Sequence, residues 1–278
     1  MARRMADAIT VRRALAQAGL APIDAQALLA HVVSRDRAWL VAHATDPLTA
    51  DQVRAFFSLA RRRREGEPVA YLTGVREFFG LPLAVDRRVL IPRPETETLV
   101  DWALRRLPAD RPLRVLDLGT GSGAVALAIG HARPQATVVA TDRSPDALAV
   151  ARGNAALLRL SNVEWLHTDW FGGLEPTRFD AIVSNPPYVA AGDPHLGEGD
   201  VRFEPSQALV SGVDGLEALR VIVAGAGDHL VPRGWLAVEH GYDQADAVRG
   251  LLQQAGFGEL ESLRDLSGIP RVAVGRTA

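Results

Sequence analysis

Cysteine is absent from the 278 residues, and so is lysine: all 31 basic side chains are arginine. Without thiols the chain forms no disulfide and no thiolate metal site, as expected of a cytoplasmic protein. The exclusive use of arginine reads as codon bias rather than function. Long apolar runs are also missing. Arg, Asp or Gly interrupts every hydrophobic stretch, so none is expected to span a bilayer and no membrane partner is expected. The opening MARRMADAITVRRALAQAGL holds basic residues but no continuous apolar region before a small-residue cleavage site. No signal peptide is expected from it. The seven histidines show no metal-ligand spacing, and His195 reads as a loop residue rather than a base. Gly-x-Ser-x-Gly does not occur, which removes one hydrolase class.

Hydrophobic residues at 47% and charged residues at 23% fit a globular chain, and the length suits two domains better than one small core. The net charge of −2 conceals an asymmetry: residues 1–68 carry 11 Arg against 7 acids, a formal +4, and the remainder is −6. A basic front end suits either an RNA-rich partner or a solvated helical face.

Three regions follow from the patterning. Residues 1–70 read as a small helical bundle ending in the run Arg61–Arg64. Leu28, Leu29, Val32 and Val33 recur at helical spacing, as do Phe56, Phe57, Leu59 and Ala60, with Thr10, Asp24 and Thr49 as candidate caps. Residues 71–92 read as a linking β-hairpin, Val75–Phe79 and Leu81–Val85, turning at Gly80. In residues 93–278 strands and helices alternate. Arg114–Leu118, Thr137–Thr141, Val163–His167, Asp180–Ser184 and Trp235–Glu239 read as buried strands. Ala124–Ala132, Pro145–Leu160 and Leu216–Leu230 read as helices. Such alternation predicts an α/β, doubly wound, mostly parallel sheet. Glu259–Arg264 and Arg271–Gly275, with no helix between, predict an antiparallel strand at the edge or beside the last parallel one.

The first strand runs into Gly119-Thr120-Gly121-Ser122-Gly123 and a helix. Glycines there allow a tight turn and close approach to a ligand at the binding end of the sheet, although a turn of purely structural purpose reads the same way. Asp142 ends the next strand, where a carboxylate can accept two hydrogen bonds from a ribose diol. The third glycine follows the second after one residue, against the two of a dinucleotide fingerprint, which disfavours a dehydrogenase. After the third strand, Asp169 can face an adenine amine and Trp170 its ring plane; a core tryptophan is the alternative.

The fourth strand delivers Asn185-Pro186-Pro187-Tyr188 to the same sheet edge. Two prolines remove amide donors and leave carbonyl acceptors. Asn185 adds a side-chain acceptor and Tyr188 an aromatic face with a hydroxyl. The set suits a planar NH2 group: acceptors hold its hydrogens, an aromatic plane covers its π system, and the nitrogen is aimed at an activated carbon. Catalytic weight therefore falls on Asn185, Pro186 and Tyr188.

Taken with Glu67-Pro-Val-Ala-Tyr-Leu-Thr-Gly74, Phe78-Phe-Gly80, Ile91-Pro-Arg-Pro-Glu-Thr-Glu97, Asp200-Val-Arg-Phe-Glu-Pro205 and Glu239-His-Gly241, these motifs resemble the bacterial release-factor glutamine methyltransferases, the HemK or PrmC family, over nearly the whole chain. The resemblance implies a seven-stranded Rossmann-like methyltransferase sheet and N5-methylation of the glutamine in the Gly-Gly-Gln motif of class I peptide-chain release factors. It implies S-adenosylmethionine as donor, S-adenosylhomocysteine as product, and no metal. Gly119–Gly123, Asp142, Trp170 and Asn185 then contact the donor, and Asn185–Tyr188 hold the glutamine. The charge and composition break near Arg61–Gly66, followed by a self-contained alternating domain, points to a substrate-recognition role for residues 1–70. Arg93, Glu95, Arg202 and Glu204 stay open between the peptide pocket and salt-bridged loop anchors.

Two other classes remain in view. A nucleic-acid methyltransferase acting on an exocyclic base amine meets the same planar NH2, but the −6 charge after residue 68 disfavours a phosphate-binding surface, so no stable nucleic-acid partner is expected. A non-catalytic S-adenosylmethionine-binding module would not require an intact Asn-Pro-Pro-Tyr turn.

Overall fold

Thr10, Asp36 and Thr49 each start a helix by accepting a backbone N–H three residues on, from Arg13, Trp39 and Gln52 respectively. At Thr49 the bond is reciprocal, because the Gln52 side chain accepts the Thr49 N–H at 2.9 Å and closes a capping box. The computed structural model describes residues 9–174 and 177–278, so the basic opening before Ile9 lies outside the described residues. The chain divides into two units. The first holds residues up to Gly74 together with Glu198–Phe203; the second holds Val75–Gly197 and Glu204–Ala278.

In the first unit, α1 (Val11–Gln17), α2 (Pro22–Val33), α3 (Arg37–Ala42), α4 (Ala50–Arg64) and α5 (Val69–Thr73) surround a core of Val11, Leu28, Leu29, Leu40 and Phe56. Each such side chain removed from water contributes roughly 1.5–3 kcal/mol, so this cluster is the main term holding the bundle. Asp24 is not the cap expected of it. Pro22 opens α2 with its φ already set, the N-cap is Ala21, and Asp24 sits in the first turn, where its carboxylate takes Arg63 Nε at 2.8 Å. Three arginines of the run, Arg62, Arg63 and Arg64, are committed internally, and Arg61 is exposed. Arg62 grips Glu67 with two bonds of 2.7 and 2.8 Å, Arg63 reaches Asp200 at 2.6 Å, and Arg64 donates to the Ala18 carbonyl at 2.6 Å. These contacts hold Arg62 to Arg64, and all four arginines lie in the last turn of α4, where the helix C-terminus favours cations.

The second unit opens on an antiparallel hairpin, β1 (Val75–Phe78) and β2 (Leu81–Ala84). Phe79 and Gly80 between them both have positive φ, 51° and 77°, the two-residue turn whose twist matches the strands. Then follow α6 (Glu97–Arg106), β3 (Leu113–Leu118), α7 (Ala124–Ala132), β4 (Ala136–Asp142), α8 (Pro145–Leu158), β5 (Val163–His167), β6 (Phe179–Ser184), α9 (Glu217–His229), β7 (Leu230–Glu239), α10 (Ala245–Gln254), β8 (Gly258–Arg264) and β9 (Pro270–Arg276). The seven-stranded sheet has order β5-β4-β3-β6-β7-β9-β8. Pairs from β5 to β7 are parallel, and β9 lies antiparallel between β7 and the edge strand β8. The first apolar helix after β3, α7, is buried along nearly its whole length, as an all-round apolar helix must be. Two helices beyond those anticipated, α6 and α10, also pack in this unit.

Strand order reverses between β3 and β6: the chain steps from β3 to β4 and β5 on one side, then returns to β6 and β7 on the other. Loops leaving β3 and β6 therefore part at their carboxyl ends and leave a crevice, the usual ligand position in an open α/β sheet. Gly119–Gly123 leaves one strand and Asn185–Tyr188 the other.

Candidate active site

Gly119, Gly121 and Gly123 all adopt positive φ, 71°, 57° and 85°. At Gly123 a methyl group would also stand 2.9 Å from Leu127 Cδ1 and 3.2 Å from Ala151 Cβ, so glycine lets α7 pack as closely as it does. Asp117, buried in the preceding strand, takes the Thr120 hydroxyl at 2.6 Å and the Ala126 N–H at 3.2 Å, tying the loop to both flanking elements. Burial pushes the Asp117 carboxyl up to about 7, and those two donors only partly oppose it.

A cavity of about 400 Å³ opens over this loop. Gly119, Thr120, Gly121 and Ser122 line it; Gly123 does not, its place being against α7. Asp142, at the end of β4, lines it too. Its Oδ2 accepts the Gly121 N–H at 2.9 Å and its Oδ1 the Ser144 N–H at 2.8 Å, which fixes the carboxylate and leaves a further lone pair on each oxygen. Burial raises its pKa against those two bonds. Asp169, exposed, and Trp170, half-buried at φ 48°, stand on the same wall. Trp170 also packs against the core on the α9 side of the sheet, as the core-tryptophan alternative expects.

From β6, Asn185 and Pro187 reach the cavity wall, whereas Pro186 and Tyr188 do not. Tyr188 was expected to cover the substrate with its ring. Its side chain is instead packed against the core on the α9 side, with its hydroxyl donating to Glu239 Oε1 at 3.1 Å. The Asn185 Nδ2 donates to Thr96 Oγ1 at 3.0 Å. Ser184, just before, donates to the Leu118 carbonyl at 2.7 Å and locks the ends of β3 and β6 together.

Several contributors escaped the sequence. Asn154 of α8 is fully buried; it pairs with both the N–H and the carbonyl of Ala84 and donates to the Ser122 carbonyl at 2.9 Å, so one amide clamps the glycine loop to the hairpin. Its signal was a lone polar residue on an apolar helical face. Thr96 and Glu239 were visible only as parts of longer motifs. Glu239 is buried at the end of β7, and desolvation pushes its carboxyl up to about 7, against the nearby Thr96, the Tyr188 hydroxyl and the charge of Arg271. Arg93 bonds the buried Glu204 at 2.5 Å, and Glu204 also accepts the Ile91 N–H, an anchor between two loops. Arg202 donates to the Glu65 carbonyl at 2.5 Å, within the helical unit. His195 is exposed beside Asp193, away from the cavity wall.

Residues 9–74 match the family described as the PrmC N-terminal domain, and residues 100–198 that described as the methyltransferase small domain. A release factor glutamine methyltransferase of Xylella fastidiosa (strain Temecula1) is 53% identical over 254 residues, 91% of this chain and 92% of its own. The chain belongs to the release factor glutamine methyltransferase family. Within that family, a Bordetella pertussis member is 52% identical over 262 residues, covering 94% of this chain and 97% of its own. The fold alone is shared more widely: a Pyrococcus furiosus methyltransferase, 18% identical, superposes with a TM-score of 0.54 over 78% of this chain and 97% of its own. Release factor glutamine methyltransferases thus resemble this chain over almost their full length, helical and α/β portions alike.

Proposed function

We propose that the protein transfers a methyl group from S-adenosylmethionine to the side-chain nitrogen of the glutamine in the Gly-Gly-Gln motif of class I release factors, in the cytoplasm. The observation that carries this reading is the placement of Asn185. It stands on the wall of the cavity that the glycine loop and Asp142 also line, and its Nδ2 is already bonded to Thr96. That bond leaves Oδ1 to accept a hydrogen of the target NH2. The names of the relatives supply the substrate.

The residues present fit the donor. Glycine backbone at Gly119–Gly121 admits close approach, the Asp142 carboxylate can accept ribose hydroxyls, and Asp169 and Trp170 offer an acceptor and a ring face for adenine. When bound, S-adenosylmethionine supplies a methyl group on a positively charged sulfur, already activated for transfer. Asn185 Oδ1 and the carbonyl oxygens that proline leaves free hold the planar amide and turn its nitrogen toward that methyl group. An amide nitrogen is a poor nucleophile, so this positioning is the protein's main task and can supply roughly 7–11 kcal/mol of barrier lowering. Positive charge growing on the nitrogen strengthens the bond to Oδ1 as transfer proceeds. Pro186 and Tyr188 serve by fixing the turn. The helical residues 1–70 recognise the protein substrate.

Incubation with methyl-labelled donor and a purified release factor, followed by peptide mass spectrometry, tests the reading. Label is expected on the Gly-Gly-Gln glutamine and absent when that glutamine is replaced by alanine. Label on ribosomal or transfer RNA in a parallel reaction, with none on the factor, would overturn it.

A further inference from the structure

Asn154 stands on α8, whose buried face is otherwise apolar: Ala147, Leu148, Val150, Ala151 and Ala155. It is 0% exposed, so its polar atoms need partners within the protein. Its Oδ1 accepts the Ala84 N–H at 2.7 Å, and the two hydrogens of Nδ2 go to the Ala84 carbonyl at 3.0 Å and the Ser122 carbonyl at 2.9 Å. Only this orientation of the amide serves, because turned over it would set an oxygen against two carbonyl oxygens. Both partners lead to the cavity. Ser122 lines it with the rest of the glycine loop, and Gly123, next in the chain, lies against Ala151, one turn before Asn154 on α8. Ala84 ends β2, whose only strand partner among the described residues is β1, and Asn154 pairs with its N–H and carbonyl as a further strand would. Four residues on, Arg88, Val89, Leu90 and Pro92 line the cavity as well. The stretch between is a tight turn: Asp86 accepts the Arg88 N–H through its side chain at 2.9 Å and the Val89 N–H through its carbonyl at 3.1 Å. A shift at Ala84 is therefore carried to the cavity wall with little slack. Asn154 itself lines no part of the cavity.

We propose that Asn154 is a positioning residue for the methyl donor. It holds Ser122 directly and, through Ala84, the segment Arg88–Pro92, so the β1–β2 hairpin takes part in donor binding rather than serving only as a link. The inference rests on the reading of this cavity as the S-adenosylmethionine site. A leucine at position 154 has the same branched outline and suits the apolar face of α8, so packing alone does not ask for the amide. What leucine cannot do is tie the loop and the hairpin to each other. The donor would then have to order them as it binds, and that ordering costs affinity. Leucine also leaves the Ser122 carbonyl without its partner, so stability falls too, and the two effects have to be measured apart.

The test uses the full chain and S-adenosylmethionine. Donor Kd by calorimetry and the melting temperature are measured for wild type, Asn154→Leu and Leu252→Ala. Leu252 is a buried side chain of α10 that lines no part of the cavity, so its truncation lowers stability without touching the clamp. Asn154→Leu should weaken donor binding roughly three- to tenfold, the worth of one hydrogen bond that holds the site in shape. Leu252→Ala should lose melting temperature and keep the wild-type Kd. Amide exchange supplies the second reading. The donor should slow exchange of the Ala84 N–H in wild type, although Ala84 does not line the cavity, and should not slow it in Asn154→Leu. A folded Asn154→Leu protein at the wild-type Kd, a Leu252→Ala protein that loses as much donor affinity, or wild-type exchange at Ala84 that ignores the donor would each overturn the proposal. If Asn154→Leu does not fold, the wild-type exchange decides. A wild type that binds the donor but puts no label on the glutamine defeats the substrate reading alone, and one that binds no S-adenosylmethionine overturns both.

Discussion

The Gly121 N–H, on the loop that leaves β3, and the carboxylate of Asp142, at the end of the adjacent β4, are joined by a 2.9 Å hydrogen bond. The loop and the acid proposed to hold the donor are thus tied to each other by the protein's own hydrogen bond, which sets part of the geometry of the proposed donor site. Preorganisation of this kind lowers the entropy lost on association.

Asp142→Ala removes both the charged acceptor proposed for the ribose and the partner of two loop N–H groups. Loss of a charge-assisted bond costs about 1.5–3 kcal/mol, so donor affinity should fall roughly ten- to a hundredfold. Titration calorimetry on a variant shown to be folded reads this directly. Unchanged donor affinity would remove Asp142 from the site.

Asp117 makes the stability of the catalytic unit depend on pH in a defined direction. Its folded pKa stands near 7 against an ordinary 3.8, because burial penalises the charged form. The folded state therefore binds a proton that the unfolded chain has released between those values. Stability from neutral Asp117 is complete below the ordinary value and drains away as pH rises through about 7. Asp117→Asn cannot ionise. The melting temperature of wild type relative to this variant should be highest near pH 4 and decline toward about pH 8. A difference that stays flat over that range would show that Asp117 is not the buried acid described.

Much of this architecture is legible in the sequence because buried parallel strands are short apolar runs, and β3 to β7 all announce themselves that way. α10 is quiet by contrast: only Val248 and Leu252 are buried, too narrow a stripe to mark a helix. Asp24 misleads as a cap because a proline already starts its helix. That Gly119–Ser122, Asp142 and Asn185 meet at one cavity was readable, since each is positioned by its own strand end. The direction of Tyr188 was not. It depends on Glu239, a partner on another strand, and no local pattern encodes that pairing. Thr96 was hidden for the same reason.

The helical unit is proposed to recognise the release factor, and its composition supports a separate role. Its core of Leu28, Leu29 and Phe56 is its own, and its Arg62 and Arg63 are bound to Glu67, Asp24 and Asp200. Deleting residues 1–74 should leave donor affinity largely intact while methylation of intact factor drops sharply. A short Gly-Gly-Gln peptide should suffer less, since it needs less recognition surface. Full-rate methylation of intact factor by a folded truncation would place recognition elsewhere.

Asn185 offers the sharpest test of the chemistry. Its oxygen is proposed to accept a hydrogen from the target nitrogen, and that bond tightens only as positive charge develops in the transition state. Asn185→Ala should therefore lower the single-turnover rate far more than it weakens donor or factor binding, because interactions specific to the transition state appear in kcat. Removing one such positioned group commonly costs about 2.7–4 kcal/mol, a hundred- to a thousandfold in rate. Asn185→Asp keeps an acceptor but loses the donation to Thr96, so its rate should lie between wild type and alanine. A structural role for Asn185 predicts the opposite pattern, a lower melting temperature with normal transfer by whatever remains folded. Melting curves and single-turnover rates measured on the same preparations separate the two. An undiminished rate in folded Asn185→Ala would mean that another group meets the target amide.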